Sequence, residues 1–283
     1  MKCRIATTKD LPTLKELWYE CFLDHDSKAS IDYYFENSFS LETTFILEVD
    51  DEIVTSLQLN QHNLSYNGKI ESVSFVVGVA TFKKHRKKGY MKVLLGYAID
   101  YARSIYKQDY MILQAYDWNV YRPFGFVEAY YKEKLMLTDT DLTNIATTEL
   151  LNFDSRKMLS IYERYTKDLN GYKIRDIAYF KQSYEMAMID DVLIELSNDA
   201  YMYYQIDGSV LNISECAYDN FNELLKLIKT VLQQSNIKNI NLVTDIFKYD
   251  KVYPHERELY TMIKELNDTK FEITDNLYIS EVI

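Results

Sequence analysis

The chain has 283 residues, with 32 basic and 43 acidic side chains for a net charge of −11, and is 47% hydrophobic and 27% charged. This is the composition of a globular protein large enough for two cores, which excludes a disordered or fibrous chain. No apolar run reaches the roughly 20 residues a membrane span needs, and so strong an acidic excess disfavours nucleic acid and anionic membrane as partners.

In chain order, Met1-Lys2-Cys3-Arg4 leads into a strand from Cys3 to Ala6 instead of a signal peptide, so a cytoplasmic location is expected. Thr8 to Phe22 reads as a helix that tolerates Pro12 in its first turn and buries Leu14, Leu17, Trp18, Cys21 and Phe22. A second helix is expected around Ile31 to Phe39. Thr44 to Val49 and Ile53 to Tyr66 read as strands joined at Asp50-Asp51, and Asn67-Gly68 is a strong hairpin signal because both positions favour positive φ. The next strand, Ser74 to Phe82, is followed by Met91, Leu94, Leu95, Ala98, Ala102 and Ile105 at the spacing of one helix face. Then come a strand at Met111 to Ala115, a short helical turn at Asp117 to Tyr121, and a strand at Phe126 to Leu137.

Between the Ser74 strand and its helix lies Lys83-Lys84-His85-Arg86-Lys87-Lys88-Gly89. A glycine at a helix mouth lets a ligand approach unpaired N–H groups at the positive end of the helix dipole, and five fixed cations surround it. A basic run is more often a solvated face, but this one sits in a strand-to-helix turn of an acidic chain, which favours a phosphate cradle.

Arg86-Lys87-Lys88-Gly89-Tyr90-Met91 resembles the diphosphate-binding signature of the GNAT acetyltransferase superfamily, Arg/Gln-x-x-Gly-x-Gly/Ala, with Met91 in place of the small last residue. Tyr121-Arg122-Pro123-Phe124-Gly125-Phe126 is similar to the Tyr-x-x-Phe-Gly-aromatic element of the branch named for the enhanced intracellular survival (Eis) protein. The resemblance implies a mixed α/β (α+β) fold and acetyl-CoA as co-substrate. It implies that Val79, Ala80 and Thr81 pair with the pantetheine arm, that Lys87, Lys88, Gly89, Tyr90, Met91 and Lys92 surround the diphosphate, and that Tyr121 protonates the departing thiolate.

From Thr138 onward, helices are expected at Glu149 to Leu169 and Ala178 to Met188, and strands at Val192 to Leu196, Tyr201 to Ile206 and Val210 to Cys216. A helix carrying Phe221, Leu224, Leu225, Ile228 and Leu232 on one face precedes a strand at Ile240 to Val243. This repeats the first half's order, but the turn before that helix is Ala217-Tyr218-Asp219-Asn220, whose aspartate repels a diphosphate. The expectation is therefore tandem GNAT-like domains, 1–137 binding the co-substrate and 138–283 degenerate. The Eis-like family adds a sterol-carrier-like domain, for which only Asn267 to Ile283 remains here. Counted through Leu137 there are 17 basic and 18 acidic side chains, a net −1, which leaves −10 for the remainder.

The expected reaction is direct transfer of an acetyl group to a primary amine of a small cationic acceptor in a ternary complex. By the resemblance the base is the chain's C-terminal carboxylate, here on Ile283, with Glu71, Asp117 or water as alternatives. Cys3, Cys21 and Cys216 are too scattered for a disulfide framework or zinc cluster, and His25, His62, His85 and His255 lack ligand spacing, so no metal is expected. A homo-oligomer is the one assembly left open. Two other readings are an acyl-CoA sensor without turnover and a tandem-GNAT aminoacyl transferase; a Tyr121 donor argues against the first and an intact diphosphate loop against the second.

Overall fold

The structure is a computed structural model and describes residues 1–233, 237–244 and 253–280. In chain order the elements are β1 (Lys2–Ile5), α1 (Leu11–Phe22), α2 (Lys28–Asn37), β2 (Thr44–Val49), β3 (Glu52–Tyr66), β4 (Lys69–Thr81), α3 (Tyr90–Ser104), β5 (Tyr110–Leu113) and β6 (Val127–Thr138). They continue with α4 (Ser155–Thr166), β7 (Tyr172–Lys173), α5 (Ile177–Ile189), β8 (Leu193–Leu196), β9 (Ala200–Asp207), β10 (Val210–Tyr218), α6 (Phe221–Leu232), β11 (Asn239–Thr244) and β12 (His255–Glu265).

The chain divides into two compact units. Unit 1 comprises Met1–Leu64, Lys69–Ala129 and Thr261–Glu272; unit 2 comprises Ser65–Gly68, Tyr130–Tyr260 and Ile273–Ile283. This differs from a single division at Leu137, because a C-terminal segment returns to unit 1: Met262 to Glu265 of β12 pair antiparallel with Leu113 to Tyr110 of β5. The sequence offers little sign of β12, whose first residues, His255-Glu256-Arg257-Glu258, lack an alternating apolar pattern.

In unit 1, β1, β2 and β3 pair antiparallel in succession, and β4 runs parallel to β5 with Ser74 opposite Met111 and Val76 opposite Leu113. Successive β2 residues face opposite sides. Phe45 meets Tyr97 and Tyr101 of α3, with ring centroids 6.0 and 5.0 Å away, whereas Ile46 packs with Leu14 of α1 and with Phe35 and Phe39. Thus α3 covers one face and α1 with α2 the other. The hairpin at Asn67-Gly68 has φ of 48° and 72°, as its residue types require.

Unit 2 repeats this order. A β9–β10 hairpin leads through α6 to β11, parallel to β10 with Val210 opposite Asn239 and Ile213 opposite Leu242. Its core is rich in tyrosine, with Tyr162, Tyr165, Tyr201, Tyr203 and Tyr218 all buried. The expected helix from Glu149 is shorter, since Asp154 accepts from the N–H groups of Arg156 and Lys157 at 2.9 and 3.2 Å and so fixes the start of α4. Residues 276–280, which the sequence pattern reads as the start of a terminal strand running to Ile283, make only an isolated bridge among the described residues: Leu277 pairs with Asn170, Tyr278 N–H donates to Asn170 O at 3.0 Å, and Leu277 through Ser280 are buried.

Candidate active site

The site in unit 1 begins at an irregularity in β4. Gly78 has φ +58°, and a Cβ there would lie 2.2 Å from Cζ2 of Trp18, so only glycine lets the α1 aromatic cover the strand. The sequence reading passed over this residue, although a glycine inside a valine-rich strand signals a bulge or close approach. The β4–β5 ladder ends just before it, at Val76 and Leu113.

Beyond the bulge, Phe82 N–H donates to Val54 O at 3.2 Å and Ala80 O accepts from Thr55 Oγ1 at 2.6 Å, so Ala80 is turned toward β3. Alternation puts the backbone groups of Val79 and Thr81 on the other edge, which β5 no longer covers. Ala80, expected to share the pantetheine arm with them, thus faces away. Thr81 O already accepts from Arg86 Nε at 3.0 Å.

The basic run is held in place by its own neighbours. Lys83 N–H donates to a Glu20 carboxylate oxygen, Lys84 pairs with Glu52, and His85 Nε2 lies 3.2 Å from the other Glu52 oxygen. The Arg86 guanidinium also reaches Cys21 Sγ at 3.4 Å. Five cations do not therefore surround the helix mouth; Lys84 and Arg86 are drawn back to the β-structure. Lys87 and Lys88 are exposed and have no hydrogen bond or ion pair among the described residues. A cleft of about 640 Å³ on the Glu52 side is lined by Asp10, Glu16, Glu20, Glu48, Asp51 and Glu52 against the single cation Lys84, a predominantly acidic setting that disfavours a diphosphate.

Lys87 at φ +62° and Gly89 at φ +80° turn the chain into α3. Nothing lies within 4 Å of a Cβ built on Gly89, so the approach to its backbone is open. The helix ladder starts with Val93 N–H on Gly89 O at 3.3 Å, which leaves the N–H groups of Tyr90, Met91 and Lys92 without intrahelical partners. These residues fit a phosphate group: unpaired amides and the positive end of a helix dipole lie directly after two exposed, unengaged lysines.

Tyr121 sits between two 3-10 turns, Trp118–Val120 and Arg122–Phe124. Asp117 caps the first by accepting from Asn119 N–H at 3.0 Å, and Gly125 at φ +83° ends the second. Arg122 donates to Asn119 Oδ1 at 2.7 Å and pairs with Glu128, which fastens the turns together. The Tyr121 ring meets Phe126 edge-on at 6.1 Å, and burial pushes its hydroxyl up to about 12. The hydroxyl has no hydrogen-bond partner among the described residues.

Of the expected bases, Glu71 is remote from the bulge: it lies seven residue steps along β4 from Gly78, about 23 Å of extended chain. Asp117 is occupied as a cap. Ile283 lies outside the described residues. No group of three or more metal-ligating side chains occurs among the described residues.

In unit 2 the corresponding positions hold no cradle. Asp219 pairs with Arg164 Nε at 2.8 Å, and Asn220 caps α6 by accepting from Glu223 N–H at 3.3 Å. The β10 register shifts between Ile213 and Glu215, and Glu215 is buried there against Arg175, with Oε1 at 2.6 Å from Nη1.

Residues 2–129 match the family model described as acetyltransferase (GNAT) domain. No curated protein matches the chain in sequence. Among solved structures, a probable N-acyltransferase from Enterococcus faecalis V583 is similar at TM-score 0.77 and 13% identity, over 94% of this chain and 72% of that one. A GCN5-related N-acetyltransferase from Anabaena variabilis gives 0.76 and 14%, over 94% and 73%. Eis1 from Mycobacterium abscessus gives 0.74 and 13%, over 94% and 74%. Residues 2–129 thus match the model of a GNAT acetyltransferase domain, and the chain takes the fold that these solved structures share.

Proposed function

We propose that this chain transfers an acetyl group from acetyl-CoA to the primary amine of a small cationic acceptor in a ternary complex. The observation that carries the reading is the helix mouth at Gly89, open to its backbone and flanked by the unengaged Lys87 and Lys88. The amides of Gly89 through Lys92 hold the diphosphate, and Val79 with Thr81 offers a strand edge to the pantetheine arm. Attack of the amine on the thioester makes a tetrahedral oxyanion, which a backbone N–H near the Gly78 bulge stabilises. Collapse breaks the C–S bond, and Tyr121, protonated at neutral pH, donates to the thiolate.

With Glu71 remote and Asp117 engaged, water or the Ile283 carboxylate takes the amine's proton. Residues appended after Ile283 should then depress turnover if that carboxylate is used, and leave it unchanged if water serves. The acidic surface favours a cationic acceptor through its field. A turnover screen of amines with acetyl-CoA, paired with thermal shift, tests the reading: an acetylated amine and stoichiometric free thiol support it. Coenzyme A binding with no turnover across cationic amines would favour a sensor.

A further inference from the structure

The most exposed large aromatic among the described residues is Tyr116, at 84%, in the segment between β5 and the Tyr121 turns. It does not stand alone. Its ring stacks on His25, centroids 5.1 Å apart and planes inclined by 28°, and His25 belongs to the loop joining α1 to α2. That loop is fixed by His25 N–H and Asp26 N–H, both donating to Phe22 O at 2.8 Å.

His25 follows the end of α1 by three residues and Tyr116 follows the end of β5 by three. The stacked pair thus links the cover of β4 to the end of β5, beyond the last β4–β5 pair at Val76 and Leu113. Helix α1 lies over β4 there, with Trp18 against Gly78 and Cys21 Sγ 3.5 Å from Thr81 O. The Tyr116 segment leaves the end of β5 itself. A contact from one to the other therefore bridges the opening on the face away from α3, whereas the Gly89 mouth belongs to α3. The α1–α2 face is the one by which a second substrate can reach the strand edge without crossing the diphosphate cradle.

We propose that His25 and Tyr116 form a gate over this opening that sets the girth of the amine admitted, an inference that rests on reading unit 1 as an acetyltransferase. Closed, the pair admits slender, unbranched primary amines, whose ammonium is attracted to the exposed π faces on the way in. Bulky or branched amines must part the rings. Because the two rings work as one contact, removing either opens the gate.

The test compares kcat/KM for an unbranched diamine and a bulky polycyclic amine in the wild type, Tyr116→Ala, His25→Ala, the double variant and Tyr116→Phe. Each alanine variant should raise the bulky-to-slender ratio about tenfold, the double variant no further, and Tyr116→Phe should match the wild type. Coenzyme A affinity by calorimetry should not change. A ratio that stays put, or two effects that add in full, overturns the gate. Amide hydrogen exchange gives a readout that needs no acceptor: Tyr116→Ala should speed exchange in residues 22–27 and 114–117 together. Should the wild type bind acetyl-CoA yet acetylate nothing, the enzymatic reading fails, and the exchange result alone decides whether the rings latch; acceleration confined to 114–117 refutes the latch.

Discussion

Tyr121 combines a fixed ring with a hydroxyl that burial keeps protonated, which is what a proton donor to a thiolate requires. Tyr121→Phe preserves the packing against Phe126 and should lower turnover by about 10²- to 10⁴-fold with coenzyme A affinity nearly unchanged. The raised pKa has a sign that can be checked. An acid with an elevated pKa holds its proton to higher pH, so kcat should rise as the amine deprotonates and should not fall again before roughly pH 11. A descending limb between pH 8 and 10 would assign the donor to another group. Tyr121 is a candidate in the sequence through the Tyr-x-x-Phe-Gly-aromatic pattern around it, and the proposed role rests on that pattern together with its buried hydroxyl, unpartnered among the described residues. The engagement of the Lys83 amide and the Lys84 ammonium was not legible there, because their partners Glu20 and Glu52 lie more than 30 residues away in the chain and meet the loop only after folding.

At the scale of elements, most helices and strands follow from periodicity, and β2 falls where the apolar pattern put it. What the pattern does not carry is the use of a glycine. Gly68 and Gly78 both have positive φ, but nothing lies within 4 Å of a Cβ on Gly68, whereas one on Gly78 would overlap the Trp18 ring. Gly68→Ala should destabilise by about 1–2 kcal/mol through the left-handed backbone alone. Gly78→Ala adds a clash in a packed core, and about 2–4 kcal/mol is expected. Urea unfolding of both variants checks the order; equal midpoints would mean that Trp18 yields freely. The β12 strand escaped the sequence reading for a different reason: its charged first residues mask the buried Thr261, Met262 and Ile263.

For the molecule as a whole, the two units use related folds for different ends. In unit 2 the region of the β10 irregularity holds a fully buried ion pair, Arg175 at 0% and Glu215 at 2% side-chain exposure. Ser280 joins it, its Oγ donating to Glu215 at 2.8 Å and its carbonyl accepting from Arg175 at 2.5 Å. Burial pushes the Glu215 carboxyl up, but Arg175 more than offsets this and holds it below the usual carboxylate range. In the window below that range the unfolded chain binds the extra proton, so this contribution to stability is present above it and is lost as pH falls through the lowered value. Glu215→Leu or Arg175→Leu alone should cost about 3–5 kcal/mol by stranding a buried charge, and the double variant much less than the sum. Additive losses in denaturant unfolding would show the two side chains act independently.

The central claim is that one helix mouth, at Gly89, binds the acetyl donor, and that the degenerate turn at Asp219-Asn220 does not. Titration calorimetry of the full chain with acetyl-CoA tests it most directly, with a Gly89→Val variant beside the wild type. At φ +80° a β-branched residue is strained, and its side chain occupies the space the diphosphate needs. The account predicts one site per chain in the wild type and none in a folded Gly89→Val chain; two sites, or undiminished affinity in that variant, would contradict it.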